Sequence, residues 1–464
     1  MKFKKSLCLL LAGMMLTGVM TGCGGKKEGD GKIRMEIAQW PDETDPERIE
    51  LWKKYVADFE AAYPEIDAIE GNTYGYDPET FAIKANAKQL PSYIDTYFTE
   101  IQQMISAGQV QDITDILKEN GLYDVLNPDM LDLCSDENGR VYGFPKEAYT
   151  QGLLINKDLF KKAGLVNEDG SPKVPQTYQE LAEYAQIIKE KTGVAGFALP
   201  TTANCGGWIF MNIAWSFGTE FEEKQSDGSW KAVFDTPQFK NAVQYVKDLR
   251  FKYNALPDNK VIDLEEYRKL FGTGQVAMQI SSPDAVSTMV RKYGFDKDNA
   301  YVAKLPAGEA GRYAQMGGGI TIFGKENTPE ETDAAIKWIM FRGRTPEITE
   351  EVEKTLNESY QESLDLGSVV FPKAFFSIWT DPERTKKDME IRAKYANVDM
   401  KDYEDYASFD GVTIRPEESA CCQQLYAVLD GVIQAVITDE KSDIDALTKT
   451  AVNDFQKNHL DNLD

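Results

Sequence analysis

The chain has 464 residues, of which 42% are hydrophobic, and 51 basic and 76 acidic residues give it a formal net charge of -25. This length exceeds the roughly 250 to 300 residues at which a single core stops growing, so at least two domains are expected. The acidic excess repels polyanions and excludes nucleic acid as an expected partner.

The first 22 residues predict a secretory signal. Three lysines precede an apolar run over residues 7–20, which is shorter than the about 20 residues of a membrane-spanning helix. The sequence Met-Thr-Gly-Cys follows, and small residues before a cysteine resemble a bacterial lipoprotein cleavage site at which Cys23 receives lipid. Residues 23–32 are polar and glycine-rich, which predicts a flexible tether. Ordinary secretion with Cys23 free is the alternative.

The mature chain opens with alternating strand and helix patterns. Residues 33–40 alternate apolar and polar side chains, and residues 46–63 have the spacing of an amphipathic helix. A second strand is predicted over residues 66–69 and a second helix over residues 81–88. This β-α-β-α order predicts a parallel sheet.

The chain is organised around residues 139–193. A short segment interrupted by Gly143 and Pro145 leads into a stretch in which apolar and polar residues alternate as far as residues 153–155. We interpret it as the chain leaving one domain, crossing an open cleft and entering a second domain. Lys146, Glu147 and Tyr149 would then face the cleft.

Two later pairs, Thr177 with Glu180 and Thr328 with Glu331, have the spacing of helix capping boxes. Residues beyond 346 are predicted to be mostly helical.

Four blocks of sequence follow one another along the chain: GRVYGFP, LLINKDLFKKAGL, PQTYQELAEYAQIIKEKTG and, further on, YRKLFGTGQVAMQISSPDAV. They resemble extracellular solute-binding protein family 1, the carbohydrate-binding lipoproteins that feed ATP-driven (ABC) importers. The family usually has Pro-Asp followed by an apolar residue in one strand, whereas here Pro91 is followed by Ser92 and Tyr93, with Asp95 further on.

The resemblance implies an α/β fold of the periplasmic-binding-protein type (type II). Two lobes, each a mixed sheet flanked by helices, would close over a cleft by a hinge motion. We expect the first lobe in residues 33–145 and 298–345, with residues 301–306 and 317–323 as two of its strands. The second, helix-rich lobe is expected in residues 146–297 and 346–464.

A cleft that binds a sugar needs flat apolar faces for C–H surfaces and polar groups for hydroxyls. The aromatic candidates are Trp40, Tyr76, Tyr97, Tyr149, Trp208, Phe376 and Trp379. The polar candidates are Asp77, Glu100, Lys146, Ser282, Asp284 and Arg415, with Gly318 as a backbone donor in a run of three glycines. Taken singly, each aromatic is more often packing and each carboxylate more often a solvated surface group.

The sequence thus predicts a monomeric, lipid-anchored protein on the outer face of the cell membrane. It would capture a carbohydrate, most simply an oligosaccharide, and deliver it to the transmembrane subunits of an ABC permease. A peptide or polyamine ligand and a secreted glycan-degrading enzyme are the alternatives. No cofactor or metal is expected, because the single histidine is His459 and no Cys/His metal spacing occurs. Four cysteines are expected as buried thiols: Cys134, Cys205, Cys421 and Cys422.

Overall fold

The structure, a computed structural model, describes residues 31–41, 43, 46–69, 71, 73–77, 80–371 and 376–463. The predicted signal segment, Cys23 and most of the tether lie outside the described residues. The predicted signal, the lipid on Cys23 and the flexible tether therefore remain predictions.

The strands in the described residues are β1 (Ile33–Glu36), β2 (Ile66–Ile69), β3 (Tyr93–Tyr97), β4 (Gly143–Thr150), β5 (Gly152–Asn156), β6 (Ala195–Phe197), β7 (Glu222–Lys224), β8 (Trp230–Ala232), β9 (Val276–Ser281), β10 (Ala300–Ala303), β11 (Tyr313–Phe323) and β12 (Thr413–Arg415). The helices are α1 (Pro46–Ala62), α2 (Phe81–Asn86), α3 (Ile101–Ser106), α4 (Thr114–Glu119), α5 (Pro128–Leu133), α6 (Lys157–Ala163), α7 (Tyr178–Thr192), α8 (Cys205–Ser216), α9 (Pro237–Phe251), α10 (Leu264–Gly272), α11 (Ala285–Tyr293), α12 (Pro329–Phe341), α13 (Glu350–Asp365), α14 (Pro382–Lys394), α15 (Glu404–Ser408), α16 (Cys422–Thr438) and α17 (Ile444–Asn458). Short 3₁₀ turns complete the pattern, among them Phe98–Glu100.

Helix starts follow the predicted capping chemistry. The Thr177 hydroxyl accepts a hydrogen bond from the Glu180 amide at 3.1 Å. Thr328 and Glu331 form a complete capping box, with both side chains accepting from each other's backbone amides. The caps satisfy amides that have no partner within the helix, which is why both helices begin where the sequence predicts.

The first sheet contains β12, β11 and β3 in that order, with β4 on the other side of β11. β11 runs antiparallel to both β3 and β4. Beside this sheet, β1 and β2 form a separate parallel pair, which confirms the predicted parallel arrangement of the opening segment.

The second sheet has the order β10-β5-β9-β6. β10 pairs with β5 antiparallel, from Ala300 opposite Asn156 to Ala303 opposite Leu153. The prediction that residues 301–306 form a strand of the first lobe is therefore wrong. Alternation of apolar residues identifies a strand but does not say which neighbour it will pair with.

Two large cores define the lobes. The first core, which includes Phe59, Ile94, Phe144, Ile322 and Trp338, lies within the first lobe. The second core lies within the second lobe and includes Leu153, Phe210, Ile280, Leu425 and Phe455. On the opposite face of the second sheet, a smaller side cluster gathers residues such as Leu154, Phe271, Val302 and Tyr406. β5 serves both clusters because successive side chains of a strand point to opposite faces.

The chain passes between the lobes along β4 and β11. β4 runs from the first core through Gln151 into β5, and β11 pairs with β12 at residues 313–315 and with β3 at residues 319–323. On the side of β11 away from β4, residues 316–318 have no strand beside them among the described residues. We call this opening the interlobe gap.

No helix in the part of the chain that the structure describes is both long and apolar enough to cross a membrane.

Candidate ligand-binding site

The interlobe gap has elements of both lobes at its edges. The turn Phe98–Glu100 follows β3 on the first-lobe side, and its Cα atoms come within 8 Å of α16 of the second lobe. Ligands of open α/β sheets bind beyond strand ends of this kind. The interlobe gap is therefore the candidate ligand-binding site.

Three predicted residues lie together on the first-lobe edge. The Tyr76 hydroxyl donates to Oε2 of Glu100 at 2.6 Å, and the rings of Tyr76 and Tyr97 meet edge to face with centroids 6.0 Å apart. Glu100 is 7% exposed, whereas Tyr97 is 56% exposed. One buried carboxylate and one open aromatic face thus stand side by side.

The Glu100 carboxylate is only half satisfied. Its Oε1 atom is buried and has no hydrogen-bond partner among the described residues. Burial raises the pKa of Glu100, and the hydrogen bond from Tyr76 offsets part of that rise. A buried acceptor without a donor is costly, so this oxygen is suited to a donor from outside the chain.

Side chains of β4 lie over the glycines of β11. An added Cβ on Gly317 would lie 2.5 Å from the Tyr149 ring, and one on Gly319 would lie 3.5 Å from Cδ of Lys146. Gly318 is opposite Ala148 in the ladder, so the three glycines are strand residues and not a tight turn before a strand. The missing side chain of Gly317 leaves room for the Tyr149 ring, whereas a Cβ on Gly319 would meet Lys146 at an ordinary contact distance.

Lys146 is held by a neighbour on β3. Its Nζ lies 2.5 Å from Oδ2 of Asp95, whose Oδ1 accepts from the Thr321 hydroxyl at 2.6 Å. Burial opposes ionisation of Asp95, but the charges of Lys146 and Arg344 outweigh it and hold the pKa of Asp95 below its ordinary value. The ion pair fixes a cationic group beside the gap.

Asp77 lies at the start of α2. Its carboxylate accepts from the Thr80 hydroxyl at 3.0 Å, and its carbonyl oxygen accepts from the Phe81 amide at 2.9 Å. The structure gives it a role in shaping the loop that carries Tyr76.

Trp208 is the second-lobe aromatic candidate, half-buried on α8 against the second core. Near it, a polar chain that sequence reasoning missed connects β11 to α16. The Gln315 amide donates to the Tyr426 hydroxyl at 2.7 Å, and that hydroxyl donates to Oε1 of Glu417 at 2.8 Å. The available signal was Gln315, a long polar side chain inside a mostly apolar segment.

Arg415 is engaged within the second lobe. Its two terminal nitrogens each lie 2.9 Å from an oxygen of Glu220, and its guanidinium is 4.6 Å from the ring centroid of Trp215. Trp215 in turn donates to Glu418 at 3.0 Å. Arg415 therefore organises the segment before α16.

Ser282 and Asp284 lie in the turn between β9 and α11. Ser282 is buried, whereas Asp284 is exposed and its side chain does not cap α11. Burial raises the pKa of Tyr406 on α15, hydrogen bonds with Thr150 oppose the rise, and the charge of Asp284 adds to it.

The three remaining aromatic candidates pack against residues other than Tyr76, Tyr97 and Glu100. Trp40 and Trp379 are 8% and 6% exposed and belong to the first core, where they meet Trp52 and Phe144 edge to face. Phe376 also packs against the first core and stacks on Phe409. Residues 376–379 were expected in the second lobe, and this placement corrects that expectation. We leave these three residues out of the site because core packing covers the rings of both tryptophans and Phe376 is engaged with Phe409.

The described cysteines, Cys134, Cys205, Cys421 and Cys422, are free thiols. Cys134 and Cys422 are buried as predicted, whereas Cys205 and Cys421 are partly exposed, which corrects the prediction for these two. Within the described residues no group of three or more His, Cys, Asp or Glu side chains could hold a metal ion.

With the geometry in place, the chain can be compared with known proteins. The family model of the bacterial extracellular solute-binding proteins matches residues 45–341. The chain belongs to this family. A putative binding protein of Brucella abortus (strain 2308) is 26% identical to this solute-binding protein over 334 residues, which are 70% of this chain and 74% of that protein.

Two solved structures share the fold of this solute-binding protein. An ABC substrate-binding protein from Listeria monocytogenes in complex with cycloalternan has a TM-score of 0.68 and 16% identity, covering 92% of this chain and 98% of that chain. UgpB from Mycobacterium tuberculosis in complex with glycerophosphocholine has a TM-score of 0.67 and 16% identity, with the same coverage. The predicted type II periplasmic-binding-protein fold is confirmed.

The family assignment also settles the broad activity. Members bind a solute and deliver it to the permease of an ABC transporter, and they are not enzymes. This chain is accordingly a solute-binding protein of an extracellular family, and the alternative of a glycan-degrading enzyme is dropped.

Proposed function

We propose that this solute-binding protein captures a carbohydrate, most simply an oligosaccharide, in the interlobe gap. The observation that carries the proposal is the pairing of Glu100, with its buried and unpartnered Oε1, with the open ring of Tyr97. A sugar hydroxyl would donate to the carboxylate while a C–H face of the same ring lies on the tyrosine.

Charge favours a neutral sugar over a phosphorylated solute. Glu100 lies at the first-lobe edge of the gap, and Glu417 is linked through Tyr426 to Gln315, the residue before the gap. A phosphate placed near these carboxylates would be repelled unless a cation intervened. The two predicted cations are already paired: Lys146 with Asp95 at 2.5 Å, and Arg415 with Glu220 at 2.9 Å. Tyr149 and Trp208 supply further aromatic surface from β4 and α8.

The proposal can be tested on the mature chain by thermal shift and titration calorimetry. Maltotriose, cellotriose, xylotriose and raffinose serve as sugar probes, with glycerophosphocholine and spermidine as contrasting solutes. A ligand at about 100 times its Kd stabilises the folded state by roughly 2.7 kcal/mol. Stabilisation by at least one sugar, and by neither contrasting solute, is the expected result. Stabilisation by spermidine alone would instead assign the buried carboxylate to an ammonium group.

Two variants locate the site once a sugar is found. Glu100→Gln should weaken binding by about 1.5–3 kcal/mol, because it removes a charge-assisted hydrogen bond. Glu265→Gln is the matched control, since Glu265 also accepts from a tyrosine, Tyr293, but lies exposed on α10. Equal effects of the two substitutions would argue against a ligand at Glu100.

We further propose that Cys23 carries the lipid that holds the protein on the outer face of the membrane. The support is the sequence alone: a charged start, a short apolar run and small residues before the cysteine. Cys23→Ala should move the full-length protein from the membrane fraction to the soluble fraction. An unchanged membrane fraction would contradict the anchor without bearing on the sugar site.

A further inference from the structure

An aromatic contact joins the two lobes, and one of its rings is Phe376, the predicted ligand residue that core packing and Phe409 remove from the site. The rings of Phe376 and Phe409 stack with centroids 5.3 Å apart and planes 21° from parallel. Phe376 packs against the first core, whereas Phe409 packs against the side cluster of the second lobe. The two rings therefore belong to different bodies.

The first-lobe ring is held by backbone hydrogen bonds. The Asn127 amide donates to the Ile378 carbonyl at 2.8 Å, and the Thr380 amide donates to the Val125 carbonyl at 3.0 Å. These bonds fasten the segment that follows Phe376 to the first lobe. When the lobes rotate, Phe376 must move with the first lobe.

The second-lobe ring is tied to the crossing strand. Phe409 ends α15, and the Tyr406 ring of that helix meets it edge to face with centroids 5.7 Å apart. The Tyr406 hydroxyl donates to the Thr150 carbonyl at 2.8 Å, where β4 gives way to β5. An added Cβ on Gly152 would lie 2.7 Å from the Tyr406 ring, so glycine is needed for this approach.

The backbone of Phe409 is itself unusual. Its φ is +52°, in the left-handed region that glycine adopts freely and that bulky side chains rarely occupy. Glycine would be the simplest residue at the end of α15. Strained residues of this kind persist where the surrounding structure holds them, and they cluster at clamps and switches.

We propose that Phe376, Phe409 and Tyr406 form an aromatic latch that sets the equilibrium between lobe arrangements. The latch stabilises the arrangement in which the turn Phe98–Glu100 lies beside α16. Because hinge opening about β4 and β11 moves the lobes apart as bodies, it separates or slides the stacked rings. The latch therefore biases closure before any solute arrives, and it does so whatever the solute is.

Small-angle X-ray scattering of the solute-free protein tests the latch. Phe376→Ala and Phe409→Gly should each raise the ratio of open to closed molecules by about two- to twelvefold, the range expected for one aromatic pair. The radius of gyration should increase in both variants. The double variant should open no further than the more open single variant, since both changes remove the same contact.

Phe409→Gly suits the left-handed backbone, so it separates loss of the ring from failure to fold, and thermal melting checks that it folds. Phe251→Ala is the control, because Phe251 is an aromatic residue 37% exposed at the end of α9 and outside the latch. Scattering identical to the wild type in folded Phe409→Gly would overturn the latch. So would a more compact variant, or additive opening in the double variant.

Discussion

The buried carboxylate of Glu222 provides a sharp test of how the start of α16 is held. Its Oε1 accepts from the Ala420 amide at 2.7 Å, while its Oε2 is buried without a hydrogen-bond partner among the described residues. Burial raises the pKa of Glu222 to about 8, and the nearby charge of Glu418 contributes to the rise. The relevant perturbation is Glu222→Gln, which keeps an acceptor for Ala420 and removes the titration.

The direction in which pH changes the free energy of unfolding follows from comparing the pKa of Glu222 in the folded and unfolded chain. The folded state holds the proton of Glu222 more tightly, so this group stabilises the fold fully below its ordinary pKa of 4.5, and the contribution is lost as the pH rises through about 8. From these two values the free energy of unfolding contributed by Glu222 falls by about 3 to 4 kcal/mol between about pH 5 and pH 8. The glutamine variant should lack this fall.

Urea denaturation of both proteins at several pH values in that window measures the difference. Other buried acids, including Glu418 and Asp430, also have raised pKa values because of burial, but they titrate in both proteins. The difference between the two profiles therefore reports the titration of Glu222 together with its electrostatic coupling to Glu418. Parallel profiles would refute the reasoning, because they would mean that Glu222 ionises in the folded state as easily as in the unfolded chain.

Further predictions concern packing and capping. Gly317→Ala should destabilise the fold by about 1–3 kcal/mol in denaturant titration, because the new Cβ would lie 2.5 Å from the Tyr149 ring. Gly431→Ala is its matched control: nothing lies within 4 Å of a Cβ there, and alanine favours α16 by about 0.5–1 kcal/mol, so the midpoint should rise. A similar loss in both would contradict the steric argument. Thr328→Ala should cost about 1 kcal/mol of stability through the lost cap, whereas Thr328→Ser should retain it, and equal losses in the two variants would speak against the cap.

Much of the local structure could be predicted from the sequence. β2 has the predicted bounds, the parallel pairing of β1 with β2 is confirmed, and α7 and α12 begin at the predicted threonine caps. These features depend on the spacing of apolar residues and on side chains within a few positions of the backbone they satisfy. The family was also recognisable, because its sequence blocks occur in order.

Only the tertiary structure decided which residues meet. Glu100 and Tyr76 are 24 residues apart, yet they share a hydrogen bond. Trp40 and Trp379 are both aromatic residues near element ends, but the first core buries them. A loop aromatic has the same sequence signature whether it packs inward or faces a cleft, so burial cannot be read from its neighbours.

The chain by itself thus determined its elements, its caps and its family, because short-range periodicity and hydrogen bonding fix them. The pairing of β10 with β5, the Asp95–Lys146 contact over Gly319 and the stack of Phe376 on Phe409 depended on folding. Each joins residues far apart in sequence, and their proximity depends on how whole lobes pack rather than on any local pattern.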